Sequence, residues 1–170
     1  ISLIITPTNY MKRKNYKKIK ELILVILILA FVAFLVFVNL KFVNNRDGGS
    51  DFLPYWISSR NFIQDGINPY SSENIASIRR SANELLKSED HVLADQKYPL
   101  FTVFLFVPLS FIEDFNIALA IWMTILEVSI ILSTMLIWRL LQIKTGILMM
   151  LLWLAFSIFW YYGARTIVSG

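Results

Sequence analysis

The chain has 170 residues, of which 56% are hydrophobic, and its mean hydropathy is +0.60. This composition is too apolar for an ordinary water-soluble domain of the same length. The formal net charge is +4 and there is no cysteine, which excludes a disulfide framework and a thiolate metal site.

The amino-terminal segment, residues 1–21, is basic. Six Lys and Arg residues stand just before the first apolar run: Lys12, Arg13, Lys14, Lys17, Lys18 and Lys20. A cluster in this position is better suited to anionic lipid on the cytoplasmic side than to nucleic acid. We therefore expect a cytoplasmic amino terminus and no nucleic-acid partner. The first methionine is Met11, and we expect residues 1–10 to be non-native upstream translation or a truncated beginning.

The first apolar run follows directly. No polar side chain occurs from Leu22 to Val38, and a membrane-spanning helix needs roughly 20 mostly apolar residues. The run is longer than the apolar region of a signal peptide, and no cleavage site of small residues follows it. The sequence therefore predicts an uncleaved first transmembrane helix over residues 22–43.

Residues 44–97 are polar and predict a large extracytoplasmic loop. Within it, Phe52, Trp56, Ser59 and Ile63 fall on one helical stripe. Such an aromatic, amphipathic helix suits the headgroup layer of a membrane. Gly66 is expected to end this helix, and a second, more polar helix is predicted over residues 72–88.

The remainder, residues 98–170, predicts further transmembrane helices at about 98–112, 115–138 and 145–162. Strict alternation places the acidic turn at 113–114 in the cytoplasm, which opposes the positive-inside rule. A re-entrant segment at 98–112 would fit the charges, but lipid-exposed irregular backbone is not tolerated. We favour four spans, and hence an all-α, multi-pass protein of the cell membrane.

Asp51 is the first candidate functional residue, because its carboxylate is expected near the headgroup plane, where lipid-linked substrates have their polar heads. Asp is also a favoured helix N-cap, and its side chain could instead bond the N–H groups at positions 53 and 54. Both interpretations stay open at this point. Asp47 precedes Gly48 and is expected to be a turn residue.

Three segments together resemble glycosyltransferase family 87, a family of membrane mannosyltransferases in the GT-C superfamily. The segments are residues 49–56 (GSDFLPYW), 66–70 (GINPY), and 98–100 (YPL) with the later Pro108-Leu109 pair. Their order and spacing carry the resemblance, which covers about residues 22–170. Leu100 stands where the family usually has a second proline.

The resemblance implies a GT-C-like bundle of many spans. It also implies a polyprenyl-phosphate sugar donor and a glycan or glycolipid acceptor, with no cofactor. Asp51 corresponds to the family's acidic residue and would be the general base in an inverting transfer, for which the resemblance implies mannose as the sugar. Arg46 and Arg60 are candidates for binding the lipid phosphate, although both suit an ordinary surface or headgroup contact equally well. We identify no spacing of carboxylates and histidines that would build a metal site.

Two other residues carry weaker signals. Glu127 falls in the middle of a predicted span, where an ionisable side chain is costly and often functional. His91 is expected to be a solvated loop residue. Family members are several hundred residues long, so we expect this chain to be an amino-terminal fragment that is inactive alone. The alternative is a non-enzymatic membrane scaffold or transporter fragment, in which Asp51 is only a cap.

Overall fold

The computed structural model describes residues 7–45, 48–86, 99–142 and 146–159, and these residues form α-helices and no strand. In chain order the helices are α1 Pro7–Asn45, α2 Phe52–Asp65, α3 Ser72–Leu85, α4 Leu100–Ser110, α5 Phe115–Leu140 and α6 Ile147–Phe159. The prediction of an all-α protein is confirmed for this part of the chain.

The chain divides into two compact units, Ile1–Leu35 and Val36–Gly170. In its described part, the first unit consists of the amino-terminal portion of α1, and every side chain from Tyr16 to Phe31 is exposed. An apolar helix with so much exposed surface is unlike the core helix of a soluble protein, because it needs lipid or further protein around it.

Among the described residues, two helices are long and apolar enough to cross a membrane. They are residues Tyr16–Asn45 of α1 and the whole of α5. The helix α1 begins well before the predicted span because Lys and Arg are good helix formers and continue the helix through the basic cluster. The predicted spans at 22–43 and 115–138 therefore both lie within continuous helices.

The core of the second unit forms where α2 meets α4 and α5. Phe52 is fully buried, and its ring centroid lies 5.7 Å from that of Phe106 on α4 and 5.8 Å from that of Phe115 on α5. The aromatic stripe predicted for the headgroup layer thus packs mostly against protein, although Ile63 at its end is 41% exposed. Each large apolar side chain buried in this way contributes about 1.5–3 kcal/mol.

The connection from α2 to α3 is held by polar contacts. Gly66 ends α2 in the left-handed conformation with φ +66°, as predicted. Asn68 then forms a turn in which its Oδ1 accepts from the N–H of Tyr70 at 2.9 Å. Ser71 caps α3 by accepting from the N–H of Asn74 at 3.2 Å. The 66–70 segment is therefore a tight, well-defined turn between two packed helices.

The helix α4 differs from the predicted span at 98–112. It begins after Pro99 and has 11 residues, so its length is about 16 Å, roughly half of the 30 Å of hydrocarbon in a bilayer. The turn that follows ends at Asp114, whose Oδ1 caps α5 by accepting from the N–H of Ile117 at 2.9 Å. Tyr98 lies outside the described residues.

The last predicted span, 145–162, contains α6, which has 13 residues in the described part of the chain. Residues 143–145 and 160–162 lie outside that part. The length of this segment as a membrane crossing, like the larger GT-C-like bundle, remains a prediction.

Candidate active site

Asp51 lies between residues whose backbone or side chains are fixed in the core. Gly49 is buried with φ +83°, and its backbone packs so closely on α5 that an added Cβ would lie 2.6 Å from Cδ2 of Leu119. The carbonyl of Gly49 accepts from the N–H of Leu53 at 2.9 Å. Because Gly49 and Phe52 are both anchored, the position of the Asp51 backbone is well determined.

The Asp51 side chain is exposed and makes no capping hydrogen bond to α2. The backbone of Asp51 is itself helical, with φ −84° and ψ −28°, whereas an N-cap residue normally has an extended conformation that aims its side chain at the next turn. Pro54 has no N–H, and the N–H of Leu53 already donates to Gly49. The capping interpretation of Asp51 is therefore not what the structure shows, and the carboxylate faces outward.

Arg60 has partners within the protein. Its guanidinium lies over the ring of Trp56, with Cζ 5.3 Å from the ring centroid, and Nη1 donates to the carbonyl of Ile112 at 3.4 Å. Nine residues along an α-helix correspond to about 13 Å of rise and roughly half a turn beyond two full turns. Arg60 and Asp51 therefore lie on opposite sides of α2, and the structure does not bring these two predicted site residues together.

Arg46, the other predicted phosphate-binding residue, lies outside the described residues, as do Asp47 and His91. Within the described ranges, no three His, Asp or Glu side chains are grouped closely enough to hold a metal ion.

The helices α2 and α4 are joined by further side-chain hydrogen bonds. Trp56 Nε1 donates to the carbonyl of Leu109 at 3.0 Å, and Ser59 Oγ donates to the carbonyl of Val103 at 2.6 Å. Carbonyl groups at the end of a helix have no partner within the helix. Trp56 and Arg60 supply donors at the carboxyl end of α4, so this end is covered by α2.

Sequence reasoning identified Glu127 as an unusual residue but missed its partners. Asn39 on α1 is 5% exposed, and its Nδ2 donates to Oε2 of Glu127 and to Oγ1 of Thr124, both at 3.0 Å. Thr124 and Glu127 are three residues apart and so share one face of α5. This spacing, together with Asn39 as the first polar residue after the apolar run, was the available signal for the cluster.

A second polar cluster, also missed from the sequence, lies between α2 and α3. Asn74 is fully buried, and its Nδ2 donates to Ser58 Oγ at 2.9 Å and to the carbonyl of Pro69 at 2.7 Å. Its Oδ1 accepts from Asn61 Nδ2 at 2.9 Å. All the hydrogen-bonding groups of this side chain are used within the protein, which points to a structural role.

Comparisons with known proteins found no matching family model, no similar curated protein and no similar solved structure. The resemblance to glycosyltransferase family 87 therefore stays a prediction that rests on the motifs of the sequence.

Proposed function

We propose that the chain is the amino-terminal part of an integral membrane glycosyltransferase. In this proposal the enzyme transfers a sugar, with mannose as the first candidate, from a polyprenyl-phosphate donor to an extracytoplasmic glycan or glycolipid acceptor. The observation that carries the proposal is the state of Asp51. Its carboxylate is exposed and is not used as a helix cap, while its backbone is fixed by the packing of Gly49 and Phe52.

The location of Asp51 also supports this role. It follows the end of α1 by six residues, and α1 is long and apolar enough to cross a membrane. A carboxylate at this point of the chain is expected near the headgroup plane. A lipid-linked sugar has its phosphate and its anomeric carbon at this depth while its hydrocarbon tail stays in the bilayer.

The reaction is a single displacement. The acceptor hydroxyl oxygen attacks the anomeric carbon and forms the new C–O bond, while the bond from that carbon to the phosphate oxygen breaks with inversion. Asp51 takes the proton of the hydroxyl, and the polyprenyl phosphate leaves with the bonding electron pair. General-base catalysis requires the carboxylate to come within about 2.6–3.2 Å of the hydroxyl, directly or through one water.

The leaving phosphate needs a cation. Guanidinium groups suit it because they donate two parallel hydrogen bonds to a phosphate. Arg46 is five residues before Asp51 in the sequence and is our first candidate. Arg60 is less suited to a role beside Asp51, because it contacts Trp56 and Ile112 on the other side of α2.

The proposed orientation has the amino terminus in the cytoplasm and the α2–α3 region outside, since a basic cluster before a first span is retained on the cytoplasmic side. The test uses a reporter enzyme that is active only outside the cytoplasm, fused after Ser71. We expect this fusion to be active. A fusion at the same position that shows the reporter to lie in the cytoplasm would contradict both the orientation and the enzymatic role.

A transfer assay tests the proposed activity. Membranes that contain the protein encoded by the complete gene are incubated with radiolabelled polyprenyl-phosphate mannose and endogenous acceptors, and membranes without the gene serve as control. We expect labelled product above the control, with an anomeric configuration opposite to that of the donor. The assay is repeated with polyprenyl-phosphate glucose as the donor. Absence of transfer from both donors would favour the non-enzymatic scaffold.

A further inference from the structure

The helix α4 has two apolar faces. One is buried, and the other is largely exposed, although the ring centroid of Phe104 on it lies 5.7 Å from that of Phe62 on α2. Val103, Phe106 and Leu109 are buried against the rest of the second unit. A second set of residues follows one helical stripe with spacings of three and four residues, and its Phe and Leu members are between 53% and 69% exposed. The members of this outer stripe are Phe101, Phe104, Leu105 and Pro108 on α4, and Phe111 just after its end. A continuous apolar stripe of this kind is unusual on a water-exposed surface and indicates contact with an apolar partner.

Hydrogen bonds fix the direction of α5 relative to the end of α1. Asn39 Nδ2 donates to Thr124 Oγ1 at 3.0 Å, and Asn116 Nδ2 donates to Asn44 Oδ1 at 3.1 Å. A step from Asn39 to Asn44, toward the carboxyl end of α1, therefore corresponds to a step from Thr124 to Asn116, toward the amino end of α5. The two helices are antiparallel over residues 39–44 of α1, and α5 begins beside the end of α1.

This arrangement determines on which side α4 lies. Only residues 111–114 separate α4 from α5, so the carboxyl end of α4 is at the same side as Asn45 and Phe115. If α4 crossed the bilayer after the 48–86 region, α5 would have to begin on the opposite side. Its length of about 16 Å, for 11 residues, is also too short for a crossing of roughly 30 Å.

The charges agree with this arrangement. With α5 as the second crossing, the acidic turn residues Glu113 and Asp114 fall on the same side as the α2–α3 region. Arg139, in the last turn of α5, then falls on the same side as the basic amino-terminal cluster. Positive residues in short loops are retained on the cytoplasmic side, so this topology removes the conflict that four alternating spans create.

We propose that α4 enters only the leaflet on the side where α1 ends, with its outer stripe in contact with lipid acyl chains, and that α5 is the second membrane crossing. The interior backbone groups of such a half-helix bond one another, and only the groups of its first and last turns need other partners. Its carboxyl end is covered because Trp56 and Arg60 donate to the carbonyls of Leu109 and Ile112. The lipid contact does not depend on glycosyl transfer.

Single-cysteine variants test the topology cleanly, because the natural chain has no cysteine. Ala76→Cys on α3, Glu113→Cys in the turn before α5 and Leu141→Cys after α5 are all placed at exposed positions. Each variant is treated in intact cells with a membrane-impermeant maleimide, and permeabilised cells give the total labelling. We expect positions 76 and 113 to share one side and position 141 to lie on the other. Labelling of 76 and 141 on one side with 113 on the other would establish a crossing α4 and overturn the proposal.

Spin labels test the lipid contact of the outer stripe. Labels on Leu105→Cys and, as a second variant, Phe101→Cys are examined in liposomes for collision with oxygen, which concentrates in hydrocarbon, and with a polar nickel chelate, which stays in water. Frequent collision with oxygen and rare collision with nickel are expected at both positions, and the reverse at Ala76→Cys. Frequent nickel collision at 101 and 105 would contradict the proposal. Rare collision with both reagents would show that protein, such as a second copy or a further helix, covers the stripe instead of lipid.

Discussion

Asn39 on α1 donates a hydrogen bond of 3.0 Å to the carboxylate of Glu127 on α5, across 88 residues of sequence. The same amide group also bonds Thr124. Both helices are long and apolar enough to cross a membrane, and in hydrocarbon a polar side chain has few alternative partners. This pair therefore helps to fix which faces of α1 and α5 meet. Because α1 ends six residues before Asp51, the pair also helps to fix where the chain leaves α1 toward Asp51.

We expect a measurable coupling energy between Asn39 and Glu127. In a double-mutant cycle of Asn39→Ala and Glu127→Ala, the interaction is expected to be about 0.6 kcal/mol and at most about 1.7 kcal/mol, the range found for side-chain hydrogen bonds within membranes. The free energy of unfolding in detergent micelles is the quantity measured. The control cycle combines Asn39→Ala with Ser129→Ala, because Ser129 is exposed and donates only to the Ile125 carbonyl of its own helix. A coupling energy for Glu127 that equals the control would show that the contact is unimportant.

Gly49→Ala is expected to destabilise the second unit by about 1–3 kcal/mol, because the new methyl group overlaps a packed side chain and the backbone has positive φ. The Cβ would lie 2.6 Å from Leu119 and 2.9 Å from Phe115. The measurement is the shift in thermal unfolding temperature of the purified protein.

Gly66→Ala is the matched control for Gly49→Ala. Gly66 also has positive φ, at +66°, but no atom lies within 4 Å of the position of its Cβ. Only the backbone cost of about 1 kcal/mol applies there. Equal losses of stability at the two glycines would show that the close packing of Gly49 on α5 contributes nothing.

Asn74→Asp is expected to be more destabilising than Asn74→Ala at neutral pH. The alanine leaves buried polar groups without partners, which costs about 1–3 kcal/mol. In the natural protein the carbonyl of Pro69 accepts from Asn74 at 2.7 Å. The aspartate has nearly the same shape, but it directs a carboxylate oxygen at this carbonyl, and two acceptors repel each other. Unfolding in denaturant measures both effects. Asn83→Ala, an exposed position on the same helix, should change stability by less than about 0.5 kcal/mol. If Asn74→Asp were as stable as the natural protein, the buried network would have no structural role.

The helices themselves were largely predictable from the sequence, and their ends were predictable where a local signal exists. Gly66 has such a signal, since glycine readily adopts the left-handed conformation that ends a helix. The crossing at 98–112 was harder to judge, because an apolar stretch with prolines is compatible with a short span and with a half-helix alike. The proposal of a half-helix rests on the contacts of Asn39 with Thr124 and of Asn44 with Asn116, which no local pattern contains.

The candidate site was predictable only in part. Asp51 was identified from its position after the first span and from the resemblance, but capping preference alone pointed to a structural role. The structure differs because the first hydrogen bond of α2 uses the carbonyl of Gly49 instead of a side chain. The sequence placed Asn39 within the first predicted span and gave it no further role, because its partners Thr124 and Glu127 are 85 and 88 residues away.

The most direct test of the proposed function is the activity of Asp51→Asn in the protein encoded by the complete gene. Asparagine keeps the size of the side chain but cannot take the acceptor's proton, and general-base catalysis typically contributes about 10²–10⁴-fold in rate. Because Asp51 makes no capping bond, we expect normal amounts of protein and an unchanged unfolding temperature, with sugar transfer reduced at least about a hundredfold. Asp65→Asn, an exposed change at the other end of α2, should keep full activity. Transfer by Asp51→Asn at the rate of the Asp65→Asn control would contradict the assignment of Asp51 as the general base.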